Sequence, residues 1–183
     1  MFDAKALEQL DGELFHKTVA SPLGSITLIA NPKGLQALLW PTQRRLCRQG
    51  LAALPEKPKH ALLTETEKQL DAYFAGRRRC FDLPLYLQGT TFQLEVWSLL
   101  QEIPYGQTTT YGALAQELGD PAKSRAVGLA NGNNPISIII PCHRVIGESG
   151  ELTGYAGGLQ SKSYLLQLER GSRPVEQADL FAH

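Results

Sequence analysis

The chain is short of cysteine, of excess charge and of long apolar runs, and each shortage excludes something. Three cysteines, at positions 47, 80 and 142 of 183 residues, are too few and too scattered for a disulfide framework. No C-x-x-C pair and no tight Cys/His grouping suggests a zinc site, so no metal is expected. No apolar stretch approaches the roughly 18 residues that span a bilayer. The opening MFDAKALEQLDGEL lacks the basic-then-apolar layout of a secretory leader. A cytoplasmic protein without membrane association is therefore expected. Formal net charge is zero, and residues 90–170 hold five Lys/Arg against seven Asp/Glu, a balance of −2. Nucleic-acid contact there must come from a local arrangement rather than from a basic domain. The run Arg77-Arg78-Arg79 reads as solvated surface.

At 183 residues, with 43% hydrophobic and 20% charged content, the chain is an ordinary globular protein able to bury a substantial core. Residues 16–40 read as a strand meander, with Ser25–Ile29 and Leu35–Trp40 punctuated by Ser21-Pro22-Leu23-Gly24 and Asn31-Pro32-Lys33-Gly34. Both punctuations carry Pro second and Gly fourth, as β-turns favour. Thr64-x-x-Glu67 has the pattern of a capping box, and Leu70, Tyr73 and Phe74 continue a helical stripe to Gly76. Phe81–Leu87 looks like a further strand. This half is a small α+β unit in which nothing obviously carries chemistry, and Cys47 and Cys80 read as small buried hydrophobes.

The texture changes at Gln88-Gly89-Thr90-Thr91. Phe92, Val96, Leu99, Leu100 and Ile103 fall at helical spacing, predicting a core-facing helix over 92–102 that Pro104-Tyr105-Gly106 breaks. Tyr111–Leu118 predicts a short helix closed by Gly119. Asp120 then caps the next, with Pro121 at its first position, and that helix fades at Asn131–Asn134. Helix, glycine turn, helix is the layout of a helix-turn-helix, and equally of two packed helices that meet no nucleic acid. Ala126, Gly128 and Ala130 are small, and Gly128 weakens a helix by about 1 kcal/mol relative to Ala. Small residues let a backbone approach another helix or a nucleic-acid groove.

The apolar run Ile136-Ser137-Ile138-Ile139-Ile140 fits a buried strand or extended segment and feeds into Pro141-Cys142-His143-Arg144-Val145. A cysteine between proline and a His-Arg pair is a candidate nucleophile, since nearby positive charge or a basic imidazole draws a thiol toward thiolate. It is equally a candidate core residue. Adjacent side chains diverge on extended backbone, so a His143–Cys142 connection through water is expected rather than a direct bond. Gly147-Glu148-Ser149-Gly150 and Gly154-Tyr155-Ala156-Gly157-Gly158 follow, as plain turns or as backbone that admits a flat ligand. Ser161 opens a last helix with Tyr164, Leu165 and Leu168 inward and Glu169 near its end.

The segment NPISIIIPCHRVIGESGELTGYAGG strongly resembles the active-site region of the O6-alkylguanine-DNA alkyltransferases, also called methylated-DNA–protein-cysteine methyltransferases. The match extends through GTTFQLEVWSLLQEIPYGQTTTYGALAQ and SRAVGLANGNN to Leu168-Glu169-Arg170-Gly171, covering about residues 88–171. The first half matches in outline. The resemblance implies an α+β fold in two subdomains. Residues 1–87 form a ribonuclease H-like antiparallel-sheet unit, and 88–171 a mostly helical unit with a winged-helix-like helix-turn-helix. Residues 172–183 are left as a tail.

It also implies single-turnover DNA repair, in which an alkyl group passes irreversibly from O6-alkylguanine, with O4-alkylthymine a further candidate, to Cys142. His143 would draw off the thiol proton through a water, oriented by Glu169. Tyr111 would protonate the departing guanine and help rotate the nucleotide out, and Arg125 would fill the vacated stack. Ala126, Gly128 and Ala130 would lie close to double-stranded DNA in the minor groove. Asn134 would hold the hinge, and Pro141, Val145, Tyr155 and Ala156 would shape the base pocket. No cofactor is implied. A monomer is expected, with cooperative loading on DNA left open.

Position 156 is Ala where some relatives carry a Ser that contacts the lesion. Three rivals differ in chemistry: a non-catalytic lesion binder, which would replace the acceptor cysteine; a cysteine hydrolase, which needs an oxyanion motif; and a helix-turn-helix regulator, which needs a basic recognition helix.

Overall fold

The computed structural model describes residues 4–171, so the tail expected over 172–183 lies outside the described residues. The expected meander is a three-stranded antiparallel sheet of β1 (Phe15–Val19), β2 (Ile26–Asn31) and β3 (Gly34–Leu39), in that order. Both Pro/Gly punctuations are its turns. The Gly24 N–H donates to the Ser21 carbonyl at 3.1 Å, and Asn31 Oδ1 accepts from the amides of Lys33 and Gly34. β2 and β3 are buried along their whole length. One face packs under α1 (Ala4–Glu8), α2 (Pro41–Leu46) and α3 (Arg48–Ala52), around Leu7, Ile29, Ala37, Leu39, Cys47 and Leu51. The other meets α4 (Ala61–Phe74) and the main core.

Two expectations for this half are corrected. The helix α4 starts at Ala61 with His60 as its N-cap, not at the Thr64 box: the Thr64 N–H already donates to the His60 carbonyl at 2.9 Å. Glu67 pairs with Lys17 on β1 instead of capping. The strand expected at Phe81–Leu87 is reduced to one bridge, Leu35 with Leu85. Pro84 has no amide hydrogen with which to extend a ladder. The bridge still serves β3, whose outer edge is covered by the Pro84–Tyr86 backbone at Leu35 and by the Pro135 carbonyl at Leu38. Covering that edge removes a site for unwanted strand pairing and joins the sheet to the second half.

That half begins with α5 (Thr91–Glu102), fixed by a reciprocal capping box between Thr90 and Gln93. A short parallel pair, β4 (Thr109–Thr110) with β5 (Val145–Ile146), flanks α6 (Tyr111–Glu117). Gly119, at φ +81°, makes the turn that only glycine adopts without strain. Asp120 caps as expected, but Pro121–Lys123 is a 3₁₀ turn that precedes α7 (Ser124–Gly132), so the second helix of the helix-turn-helix is shorter than the pattern suggested. Residues 136–140 are buried as a compact loop rather than a strand. The last helix, α8 (Gly158–Glu169), begins before Ser161, which is buried within it. One core runs through both halves, with Phe15, Leu38 and Tyr73 alongside Val96, Val127, Ile140 and Leu165. Among the described residues no helix is long and apolar enough to cross a membrane.

Candidate active site

Cys142 starts a single 3₁₀ turn, Cys142–Arg144, at the end of the 136–140 loop. Asn134 clamps that loop from both sides: its Nδ2 donates to the Ile140 carbonyl at 2.8 Å, and its Oδ1 accepts from the Ile136 amide at 2.9 Å. The clamp holds Ile138 at φ +76°, a conformation that typically costs a β-branched residue about 1–3 kcal/mol. The Cys142 N–H donates to the Ile140 carbonyl at 2.8 Å, and its Sγ makes a weak contact, 3.9 Å, to Ser137 Oγ and lies near the Asn134 side chain. Burial pushes the Cys142 thiol above its ordinary value, and Asn134, Ser137 and Lys162 offset this without cancelling it. Of the two routes to a thiolate that the sequence offered, nearby positive charge acts here through Lys162 and does not outweigh burial. Arg144, the cation nearest in sequence, is bonded to Glu169 instead, and the group rests as a thiol.

His143 and Arg144 both bond Glu169, at the end of α8. The carboxylate accepts five hydrogen bonds. Tyr73 Oη (2.7 Å), His143 Nε2 (2.8 Å) and Arg144 Nη2 (2.9 Å) reach Oε1, while Arg144 Nε (2.9 Å) and the Gly106 amide (3.0 Å) reach Oε2. Burial alone would raise the Glu169 carboxyl, but the His143 and Arg144 bonds more than offset it and hold the group well below the carboxylate range. An ionised Glu169 only accepts, so the His143 proton sits on Nε2. Nδ1 is left with a lone pair, buried and without a protein partner. Burial lowers the His143 pKa, with Glu169 opposing, so the ring is neutral at pH 7 and suited to accept a proton. Direct His143–Cys142 bonding is absent among the hydrogen bonds of the described residues, as the divergence of adjacent side chains implies.

A cleft of about 550 Å³ is lined by Tyr111, Arg125, Gly128, Thr153, Tyr155 and Ala156 among others, and Tyr155 connects it to the turn through His143. Tyr111, the first residue of α6, accepts a hydrogen bond from Thr153 Oγ1 at 3.0 Å, and burial raises its pKa so that it remains a phenol. Tyr111 and Tyr155 both lie close enough to Cys142 for its charge to act on them. The Tyr155 hydroxyl is buried near Ser137, its ring edge-on to Trp40 and to His143. Arg125 is exposed, and Ala126 and Gly128 are half-buried on α7. A methyl group at Gly128 would meet nothing nearer than Tyr111 Cδ1 at 3.8 Å, so internal packing does not demand glycine there.

Three expected contacts are placed otherwise. Ala130 is turned into the core, where its carbonyl accepts the Trp97 indole N–H at 2.9 Å, so it is withdrawn from any groove on α7. Pro141 lines a different groove, of about 690 Å³, with Tyr105 and Arg144. Val145 is fully buried and its carbonyl is taken by Lys162 Nζ at 2.6 Å. Cys80 is exposed rather than buried, while Cys47 is buried as expected.

Several residues escaped the sequence reading. Tyr73 joins Glu169 from the first half, and Arg144 serves as a bidentate partner of Glu169 rather than of the sulfur. Lys162, inside α8, bonds the carbonyls of Val145 and Thr153; burial lowers its pKa to about 8. A signal existed for Lys162: Lys162, Leu165 and Glu169 share one helical stripe, which places two charges on an apolar face. Leu129, on α7, is 72% exposed, an unusual setting for a leucine beside Arg125.

Comparison with known proteins follows the same division of the chain. Residues 14–87 match the ribonuclease-like domain of 6-O-methylguanine DNA methyltransferase, and residues 91–171 match its DNA binding domain. The methylated-DNA–protein-cysteine methyltransferase of Methanosarcina acetivorans is 45% identical over 158 residues, 85% of this chain and 98% of that protein. Its namesake in Mycolicibacterium paratuberculosis is 48% identical over 161 residues, covering 87% and 94% respectively. The crystal structure of Mycobacterium tuberculosis OGT in complex with DNA superposes with a TM-score of 0.79 at 44% identity, over 88% of this chain and 96% of that one. With its antiparallel sheet, helix-turn-helix and buried Cys-His-Glu centre, the chain belongs to the 6-O-methylguanine DNA methyltransferase family.

Proposed function

We propose that the protein repairs double-stranded DNA by transferring the alkyl group of O6-alkylguanine to Sγ of its own Cys142, one lesion per molecule. The observation that carries this reading is the protonation pattern of the centre. His143 is fixed by Glu169 through Nε2, which leaves its Nδ1 lone pair without a protein partner, and the buried thiol of the adjacent Cys142 lies near Tyr111 and Tyr155, which line the open cleft. A stacked base keeps its O6 inaccessible, so extrusion costing a few kcal/mol precedes chemistry. Arg125, exposed on α7, fills the gap in the stack, and Ala126 and Gly128 allow α7 to lie in the minor groove. Asn134 holds the hinge between α7 and the reactive loop. Tyr155 and Ala156 wall the base pocket. The helix N-termini and free amides meet phosphates without a basic domain, which accounts for the −2 balance of residues 90–170.

In the transfer, the thiol proton passes through a water to His143 Nδ1. The sulfur lone pair forms the S–C bond while the C–O6 bond breaks, and its electrons leave on guanine, which takes a proton from Tyr111. The imidazolium proton then returns to the Tyr111 phenolate by way of solvent. The net result is a methyl and a proton exchanged between guanine and cysteine. The thioether product is not hydrolysed, so the protein acts once. Residues 88–171 carry the transfer, and residues 1–87 support it. The acting species is a monomer.

Incubation with duplex DNA containing O6-methylguanine should add one methyl group per chain, on the tryptic peptide 126–144, and Cys142→Ala should abolish uptake while retaining DNA binding. Mass spectrometry and a mobility-shift assay read both. Repeated turnover, or methyl on Cys47 or Cys80, would overturn the assignment. O4-methylthymine in the same assay defines the substrate range.

A further inference from the structure

We propose that Tyr73, contributed by the sheet-bearing half of the molecule, is a positioning residue that sets the basicity of His143 through Glu169; this rests on the reading of His143 as the base for Cys142. The geometry separates it from ordinary packing. Glu169 Oε1 accepts three donors, from Tyr73 at 2.7 Å, His143 at 2.8 Å and Arg144 at 2.9 Å. A carboxylate oxygen presents two lone pairs, so these donors share what two would fill. Tyr73 Oη also lies 3.5 Å from His143 Nε2, directly beside its rival.

When His143 takes the thiol proton, its Nε2–H becomes a stronger donor and Glu169 stabilises the imidazolium. Each further donor on Oε1 weakens that stabilisation. The Tyr73 hydroxyl therefore keeps the imidazole less basic, and neutral further into the acid range. It is fully buried, its pKa is raised by burial and by Glu169, and it stays a donor throughout. The other groups acting on His143 come from every neighbouring element. Glu169 and Lys162 lie on α8, Arg144 and Cys142 flank it in the turn, Tyr155 meets its ring edge from the glycine loop, and Tyr105 faces Glu169 from the loop after α5. Tyr73 is the neighbour that reaches Oε1 from the first half, where the sequence offered no chemistry.

The test is the single-turnover rate of methyl uptake as a function of pH, with a direct NMR titration of His143 in the protein without DNA. Tyr73→Phe keeps the ring and loses the hydroxyl. The acid limb of the rate profile and the His143 pKa should both move up by about half a pH unit or more, a roughly threefold slower rate below the limb, with the plateau retained. Replacing Tyr73 site-specifically by a fluorinated tyrosine, which keeps ring and hydroxyl but donates more strongly, should move both down. This second variant retains the native packing if Tyr73→Phe folds poorly. A uniform loss of rate with an unmoved limb and an unmoved His143 titration would reduce Tyr73 to a packing role and overturn the inference. Absence of methyl uptake by the unaltered protein would instead sink the transfer reading, while the NMR titration would still decide the coupling of Tyr73 to His143.

Discussion

The turn Cys142–Arg144 faces two unlike environments. Behind it, Glu169 has a fully buried side chain and accepts five hydrogen bonds, from Tyr73, His143, Gly106 and twice from Arg144. In front of it, the cleft under α7 is lined by Tyr111, Tyr155 and Ala156 and leaves Arg125 in solvent. The closed side has its charges fixed before any ligand arrives, so no reorganisation is needed when a proton moves. The open side keeps its donors and contact surface for something that comes from outside. Chemistry and recognition are thus divided across a single turn of chain.

The closed side is expected to give the largest effect when broken. In Glu169→Gln, Arg144 loses its charged partner while buried, which destabilises proteins by about 3–5 kcal/mol. For a chain of this size the melting temperature should fall by roughly 10 °C. Methyl transfer should slow by about 10²-fold, since His143 loses its orientation. The pH dependence of stability carries a second signature. The folded Glu169 value lies below its unfolded one, so its contribution is complete above the carboxylate range and is lost as pH falls toward the folded value. The folded His143 value is also lowered, so the unfolded chain takes up that proton first and stability declines as pH drops below about 6.5. Thermal melts between pH 8 and pH 3 should therefore show a two-part decline in the unaltered protein. Glu169→Gln should keep the part near pH 6 and lose the part below pH 4. An unchanged acid slope would mean that Glu169 is not the carboxylate the cluster stabilises.

The two sides were unequally legible in the sequence. The open side lies on contiguous motifs: Tyr111 at a helix start and Arg125 after the Asp120-Pro121 cap were placed by local signals that depend on near neighbours. The closed side is assembled from distant chain. Tyr73 and Glu169 are 96 positions apart, and a tyrosine in an apolar helical stripe looks like any core aromatic until its hydroxyl partner is known. The apolar run 136–140 read as a strand because its composition is that of one. What folds it into a loop is Asn134, which bonds both ends and holds Ile138 at a φ its side chain disfavours. The 81–87 segment failed for a related reason: β-type composition with a proline at the position where pairing had to continue.

On the open side, Arg125→Ala tests whether the cleft does work on the duplex rather than on the base. A side chain that replaces the extruded base offsets part of an extrusion cost of a few kcal/mol, and losing about 1.4 kcal/mol of that offset is tenfold in rate. Repair of O6-methylguanine in a duplex should slow by about tenfold, with repair of the same lesion in a single strand slowed by less than about twofold, as no stack has to be opened there. Single-turnover rates on the two substrates give the ratio. Equal losses on both would assign Arg125 to plain DNA affinity and remove the wedge.

Gly128→Ala is the subtlest probe, because fold and function should respond with opposite signs. Inside α7, alanine is favoured over glycine by about 1 kcal/mol, and the added methyl would touch only Tyr111 at 3.8 Å, an ordinary contact. The melting temperature should therefore rise by roughly 2–4 °C. If α7 lies against a groove wall, the same methyl occupies space the duplex needs, and DNA affinity should fall by several-fold despite the firmer helix. Packing inside the protein gives the reverse pattern: were glycine kept to let α7 approach α6, alanine would lower stability and leave binding to the folded protein unchanged. Melting curves and a duplex titration on one variant thus separate the two reasons for a small residue that the sequence left open. A stabilised protein with undiminished affinity would show that the open face of α7 does not approach DNA at Gly128, and the minor-groove placement would have to move to another part of the cleft.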